Sequence, residues 1–177
     1  MAVQLSTSEL TAGLDEIRRS PADAGRLLMI VRRPAVNERE ELSEGELDVD
    51  LGLVGDTWKG SKWEMPENQI TLMNSRAVER IAGSRERWAL AGDQLYVDFD
   101  LSAANLPPGT RLAIGSAVLE ITAEPHTGCS KFRSRFGRDA LAFVNSPDGR
   151  ALNLRGIYAR VVVSGRVCVG DEVHKVA

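Results

Sequence analysis

One segment gathers the reactive side chains of this sequence: Thr122-Ala123-Glu124-Pro125-His126-Thr127-Gly128-Cys129-Ser130-Lys131-Phe132. An apolar stretch ends here, Pro125 cannot donate to a strand ladder, and Cys129 falls on the loop beyond it. Lys131 follows the cysteine by two residues and His126 precedes it by three. A cation close to a thiol favours the thiolate, the form that attacks electrophiles and binds soft metals. Cys129, His126 and Lys131 are therefore the candidate catalytic residues, with Cys129 also the candidate metal ligand. Gly128 would leave room for a ligand to approach the backbone. The other fate of a free cysteine is to serve as a small buried hydrophobe. That fate is the expectation for Cys168, which lies between Val167 and Val169 in an alternating strand pattern.

Cations follow the cysteine: Lys131, Arg133, Arg135, Arg138, then Arg150 and Arg155. A guanidinium fork matches phosphate oxygens, so a phosphorylated cofactor could be held here. Arg155, between Leu154 and Gly156 and just ahead of a strand, is the best placed; the others suit a solvated face. The two histidines, His126 and His174, are far apart, and no Cys/His spacing of the zinc type exists, so no zinc site is expected.

These residues need a scaffold. Ser6-Thr7-Ser8-Glu9 offers helix-capping chemistry, and Leu10, Leu14 and Ile17 recur at helical spacing, which predicts a short amphipathic helix over about 8–19 or else a frayed tail. From Gly25 onward the pattern is of short strands: 26–32, 47–51, 69–73, 94–99, 111–114, 117–123, 158–163, and two more before the end. Residues 38–46 read as an acidic turn and 59–68 as a loop. A helix is expected after Asn74-Ser75, a weak one over 138–144, and a turn at Ser146-Pro147-Asp148-Gly149. Many short strands with frequent turns predict a mainly β protein, a closed barrel or sandwich with one or two helices plugging or flanking it.

The chain has 177 residues, 43% hydrophobic and 27% charged, which suits one soluble domain with a short appendage. A net charge of −3 argues against nucleic acid as a partner. No apolar run approaches a membrane span and no signal peptide is evident, so the expected location is cytoplasmic, with both cysteines as thiols.

Four segments, in order, resemble the signatures of MOSC domains, named for the C-terminal domain of molybdenum cofactor sulfurases. They are Gly52-Leu53-Val54-Gly55-Asp56; Gly115-Ser116-Ala117-Val118-Leu119-Glu120-Ile121-Thr122 followed by Pro125 and Cys129; Arg155-Gly156-Ile157-Tyr158-Ala159-Arg160-Val161; and Gly165-Arg166-Val167-Cys168-Val169-Gly170-Asp171. The resemblance divides the chain into a helical extension, 1–24, and a MOSC domain, 25–177. It implies a closed β-barrel of the pyruvate kinase type with a pocket at one end, and a function around sulfur transfer or the molybdenum cofactor. Cys129 would be the metal or sulfur ligand, and Arg155, Gly128, Asp93 and Gln94 would lie at the cofactor site. Many members have arginine where this chain has His126, and Gly-Glu-Asn-Leu where it has Gly92-Asp93-Gln94-Leu95. Implied partners are a small-molecule substrate or molybdopterin and separate electron-transfer proteins. Pyridoxal phosphate and an iron–sulfur cluster are not expected in this chain. The readings kept open are a molybdenum-dependent reductase of N-hydroxylated compounds, a non-catalytic sulfur carrier or cofactor carrier, and a barrel that binds another small ligand.

Overall fold

The expected short strands are present, and seven of them close on themselves. The computed structural model describes residues 4–177. Its strands are β1 (Ala24–Arg32), β2 (Glu40–Leu42), β3 (Glu44–Asp48), β4 (Gly52–Leu53), β5 (Ile70–Asn74), β6 (Leu95–Asp98), β7 (Arg111–Ile114), β8 (Ala117–Ile121), β9 (Ile157–Val163), β10 (Gly165–Cys168) and β11 (Glu172–Val176). The helices are α1 (Thr7–Thr11), α2 (Leu14–Arg18), α3 (Ser75–Ala82), α4 (Ser130–Asn145) and α5 (Pro147–Ala151), with 3₁₀ turns at Pro66–Asn68 and Arg85–Ala91. The barrel runs β11-β7-β8-β9-β5-β6-β1, and pairing of β1 with β11 closes it. Every pair in it is antiparallel except β5–β6, whose crossover carries α3 and the second 3₁₀ turn. The fold is thus mainly β, a closed barrel with a few flanking helices. A smaller sheet, β10-β3-β4, stands beside it, and β2 extends β1.

Closure makes two cores, because each barrel strand has an inner and an outer face. Leu27, Ile30, Leu72, Leu95, Val97, Leu119 and Ala159 belong to the core that fills the barrel. Met29, Val31, Met73 and Tyr96 point outward into a second core, covered by α3, α4 and the N-terminal helices. A register shift between Leu27 and Met29 lets both Leu27 and Ile30 face inward. That is why β1 reads as an apolar run rather than an alternation: both its faces are buried.

The elements differ from the sequence reading chiefly in four places. Residues 38–46, read as a turn, form β2 and the start of β3, and the strand placed at 47–51 ends at Asp48. The acidic residues there are consumed by cations on neighbouring elements, Glu40 by Arg32 at 2.7 Å and Glu41 by Arg85 at 2.8 Å. Asp48 then accepts the backbone N–H groups of Asp50 and Leu51, which ends the strand. The single N-terminal helix is two. Ser6 and Glu9 form the expected capping box, but the helix breaks at Gly13, where a Cβ would lie 2.7 Å from Arg80 Nε. These helices are also no loose tail: Leu10, Leu14 and Ile17 are buried in the second core. The helix placed at 138–144 starts at Ser130 and kinks at Gly137, whose φ of 91° is glycine territory. The turn at 146–149 is one turn of helix, α5, capped by the Ser146 hydroxyl accepting from Gly149 N–H.

Candidate functional site

Beyond β8 the chain is fastened at both ends of the loop that carries the cysteine. The Thr122 hydroxyl donates to the Glu67 carbonyl and the Thr122 N–H to the Tyr158 carbonyl. Gly128 exchanges hydrogen bonds with the Asn145 side chain, N–H to Oδ1 at 2.9 Å and Nδ2 to the Gly128 carbonyl at 3.3 Å. The space a side chain at Gly128 would fill belongs to Leu141, Val144 and Asn145 of α4, so this glycine serves helix packing and does not line the pocket. Cys129 is the N-cap of α4 and is exposed. Cys168, expected in the core, is only partly buried: Val167 takes the inward position of β10, and the Cys168 Sγ lies 4.0 Å from Glu44 Oε2. The alternation was real, but its buried phase falls on Val167, so the cysteine faces out.

Cys129, His126, Lys131 and Arg155 line one cavity of about 650 Å³. Its other walls are the segment after β1, the loop carrying Trp58 and Trp63, the end of the Arg85–Ala91 turn, the start of α4, and Tyr158 of β9. Six cations line it, Arg33, Arg39, Lys62, Lys131, Arg135 and Arg155, and no aspartate or glutamate does. Two of the six are held from behind by buried carboxylates. Arg33 donates to Asp56 from Nε at 2.9 Å and from Nη2 at 2.7 Å; Arg155 donates Nη1–H to Asp93 at 2.6 Å and Nη2–H to the Ala91 carbonyl at 3.0 Å. Arg39, Lys62, Lys131 and Arg135 have no carboxylate partner among the described residues. Burial, then the like charges of Arg135 and Arg33, pull the Arg39 guanidinium below its ordinary pKa. Gly92 is where two of these side chains converge: a Cβ there would lie 3.4 Å from Arg135 Nη1 and 3.7 Å from Arg39 Nη2.

Asp93 and Gln94 lie behind the pocket wall. Asp93 is fully buried; burial pushes its carboxyl up, and Arg155 opposes that. Gln94 is a brace between strands, its Oε1 accepting from Thr71 N–H at 2.8 Å and from the Thr71 hydroxyl at 3.0 Å. His126 is nearly buried and stacks on Tyr158, centroids 4.3 Å apart. Burial, with Arg155 and Arg33 nearby, drives its pKa well below 6.5, so the ring is neutral at physiological pH. Of the remaining predicted cations, Arg133, Arg138 and Arg150 do not line the pocket. The sequence reading missed Arg33, Arg39, Asp56, the two tryptophans and Tyr158. Asp56 and Tyr158 sat inside quoted signature segments, whereas nothing local distinguished Arg39 from any other residue of an acidic stretch.

A family model of the MOSC domain matches residues 63–174. The chain belongs to the MOSC domain family. Among solved structures it is similar to the YuaD protein from Bacillus subtilis, with a TM-score of 0.64, 18% identity, and coverage of 87% of this chain and 97% of that one. It is also similar to YiiM from Escherichia coli, with a TM-score of 0.57, 19% identity, and coverage of 86% and 70%. No curated protein matches it. At these identities the structural likeness shows the fold, and it extends over strands that precede the family match. Among the described residues no helix is long and apolar enough to cross a membrane.

Proposed function

We propose that this MOSC domain binds the molybdenum cofactor in the cavity beside Cys129, with the cysteine thiolate as metal ligand, and serves the reduction of N-hydroxylated compounds. The observation that carries the reading is the lining: six cations, no carboxylate, and an exposed thiol at the same opening. A phosphate-bearing ligand would find four guanidinium or ammonium groups not already neutralised, Arg39, Arg135, Lys62 and Lys131. The exposed ring of Trp63, with Trp58 and Tyr158 in the same lining, suits a flat heterocycle. Arg155 acts from the wall, holding Asp93 and the Ala91 carbonyl, because two of its nitrogens are already committed there. The donor set fits the group: a thiolate is a soft ligand, and a bound molybdenum centre supplies two-electron redox chemistry. The electrons for that reduction come, on this reading, from separate electron-transfer proteins.

A second reading, that Cys129 carries sulfur as a persulfide, draws on the exposure of that thiol, which lets it attack a partner's persulfide and take the outer sulfur while the partner's thiol leaves. Metal analysis of protein from a molybdenum-replete host separates the two. Molybdenum close to one per chain in the wild type, lost in Cys129→Ser, is the expected result. Metal-free wild type with a persulfide at Cys129 would replace the first reading with the second.

A further inference from the structure

His126 does more than fill the wall. Its ring lies against Tyr158 at a 32° inclination, with Nδ1 turned towards Asp93. Nδ1 is buried, makes no hydrogen bond among the described residues, and stands 3.6 Å from Asp93 Oδ1. That oxygen is buried and unpartnered as well, while Oδ2 receives Arg155 at 2.6 Å. Nε2 also has no hydrogen-bond partner among the described residues, but it is not among the buried unpartnered atoms, and His126 lines the pocket. Gly156 permits this arrangement, since a Cβ there would lie 3.1 Å from Asp93 Oδ1 and 3.2 Å from His126 Nδ1.

The position of the proton follows. Burial raises the Asp93 carboxyl, but Arg155, charged at any ordinary pH, donates to it at 2.6 Å away from water, and we take this contact to keep Asp93 a carboxylate. A bare lone pair on Nδ1 would then set two buried acceptors against each other, and a proton on Nδ1 turns them into donor and acceptor. We propose that Asp93 and Arg155 hold His126 as the Nδ1–H tautomer, so that Nε2 offers the pocket an acceptor that selects ligands carrying an O–H or N–H donor. This rests on the reading of the cavity as the ligand site. Its six cations can only donate, so all of them favour any oxyanion, protonated or not. The acceptor on His126 distinguishes the two, because a fully ionised group placed against it leaves both without a proton.

The test uses the whole chain labelled with ¹⁵N at histidine, which gives two ring-nitrogen resonances for each of the two histidines, assigned with a His174→Gln variant. The expected spectrum has Nδ1 protonated and Nε2 bare. Hydrogen phosphate and sulfate then serve as probes at mildly alkaline pH, where both are dianions of one shape and only phosphate carries a proton. Hydrogen phosphate should move the Nε2 resonance and sulfate should not. Phosphate should bind better by roughly two- to tenfold, a preference lost in His126→Phe, which keeps the ring against Tyr158. An Nε2–H tautomer, or equal binding of the two anions, overturns the inference. Binding of neither anion by a protein with the expected tautomer overturns the reading of the cavity as an anion site, and with it the selection by His126.

Discussion

Removing Arg155 should cost stability before it costs affinity. Its guanidinium and the Asp93 carboxylate are 9% and 0% exposed and 2.6 Å apart, so Arg155→Ala strands a charge where water cannot reach it. Breaking a buried pair on one side costs about 3–5 kcal/mol. The hydrogen bond to the Ala91 carbonyl and the packing of the guanidinium over Phe132, 5.1 Å to the ring centroid, are lost with it. For a domain of this size each kcal/mol moves the melting temperature by roughly 2–4 °C, so the melt should fall by about 6–20 °C. Adding Asp93→Asn should recover part of the loss, since the stranded charge is then gone and the two changes are not additive. Arg135→Ala supplies the contrast. Its side chain lines the cavity without a carboxylate partner among the described residues, so the melt should move by no more than a few degrees. Affinity for a phosphate-bearing ligand should drop roughly ten- to a hundredfold, the value of one charge-assisted hydrogen bond. Thermal melts beside phosphate titrations of the three variants read both quantities. An Arg155→Ala protein that melts with the wild type but no longer binds phosphate would refute this division of labour and return Arg155 to the ligand.

Alkylation at neutral pH followed by peptide mapping should label Cys129 first, because it is exposed at the cavity while Cys168 is partly covered on β10; labelling of Cys168 ahead of it would overturn the assignment. Stability should fall as pH drops below 6.5: His126 is neutral when folded, with its pKa depressed by burial beside Arg155 and Arg33, so the unfolded chain binds the proton first. The loss should level off once pH passes below the depressed folded value. Guanidinium melts across that range should flatten in His126→Gln, and an unchanged slope would mean the ring is not shielded. Deleting residues 1–24 should uncover the second core rather than leave a trimmed domain, since Leu10, Leu14 and Ile17 are each under 7% exposed. Burial of three such side chains contributes about 5–9 kcal/mol as an upper estimate, so a deletion variant that still melts cooperatively within a few degrees of the full chain would show the estimate to be wrong.

The barrel could be read from the sequence because each of its strands advertises itself locally. Apolar runs such as 111–114 and 157–163, punctuated by Gly115-Ser116 and Ser164-Gly165, need no long-range information to be seen as strands and turns. Of the strands that were missed, β4 is a buried two-residue strand inside a glycine-punctuated turn, while β2 and the first half of β3 are acidic and largely exposed. Their order comes from backbone pairing with β1 and β10, to which exposed ion pairs with Arg32, Arg85 and Arg166 add little, and a local reading of glutamates sees only a solvated turn. The phase of Cys168 failed for a related reason. Alternation gives the period of a strand, but which residue starts it is set by pairing with β3, Val167 opposite Gly45.

The site was legible only where one segment carries it. Cys129, His126 and Lys131 lie within six residues, and the loop delivers them to one opening. What gives that opening its character comes from far away: Asp93 meets Arg155 across 62 positions, Asp56 meets Arg33 across 23, and Arg39 and Arg135 meet over Gly92. Counting charge along the sequence places Arg39 in acidic surroundings and Asp93 beside Gly92 as an ordinary turn acid. In the fold the carboxylates go behind the wall and the cations go in front of it. A chain with a net charge of −3 thus presents a cavity without a single acidic side chain. Because the acids are buried and spent on Arg33 and Arg155, they cannot screen the four remaining cations, whose field in a partly enclosed cavity is stronger than the same charges would create on an open surface. An anion is the ligand that relieves this crowding, and its arrival would also relieve the depression that Arg135 and Arg33 impose on Arg39.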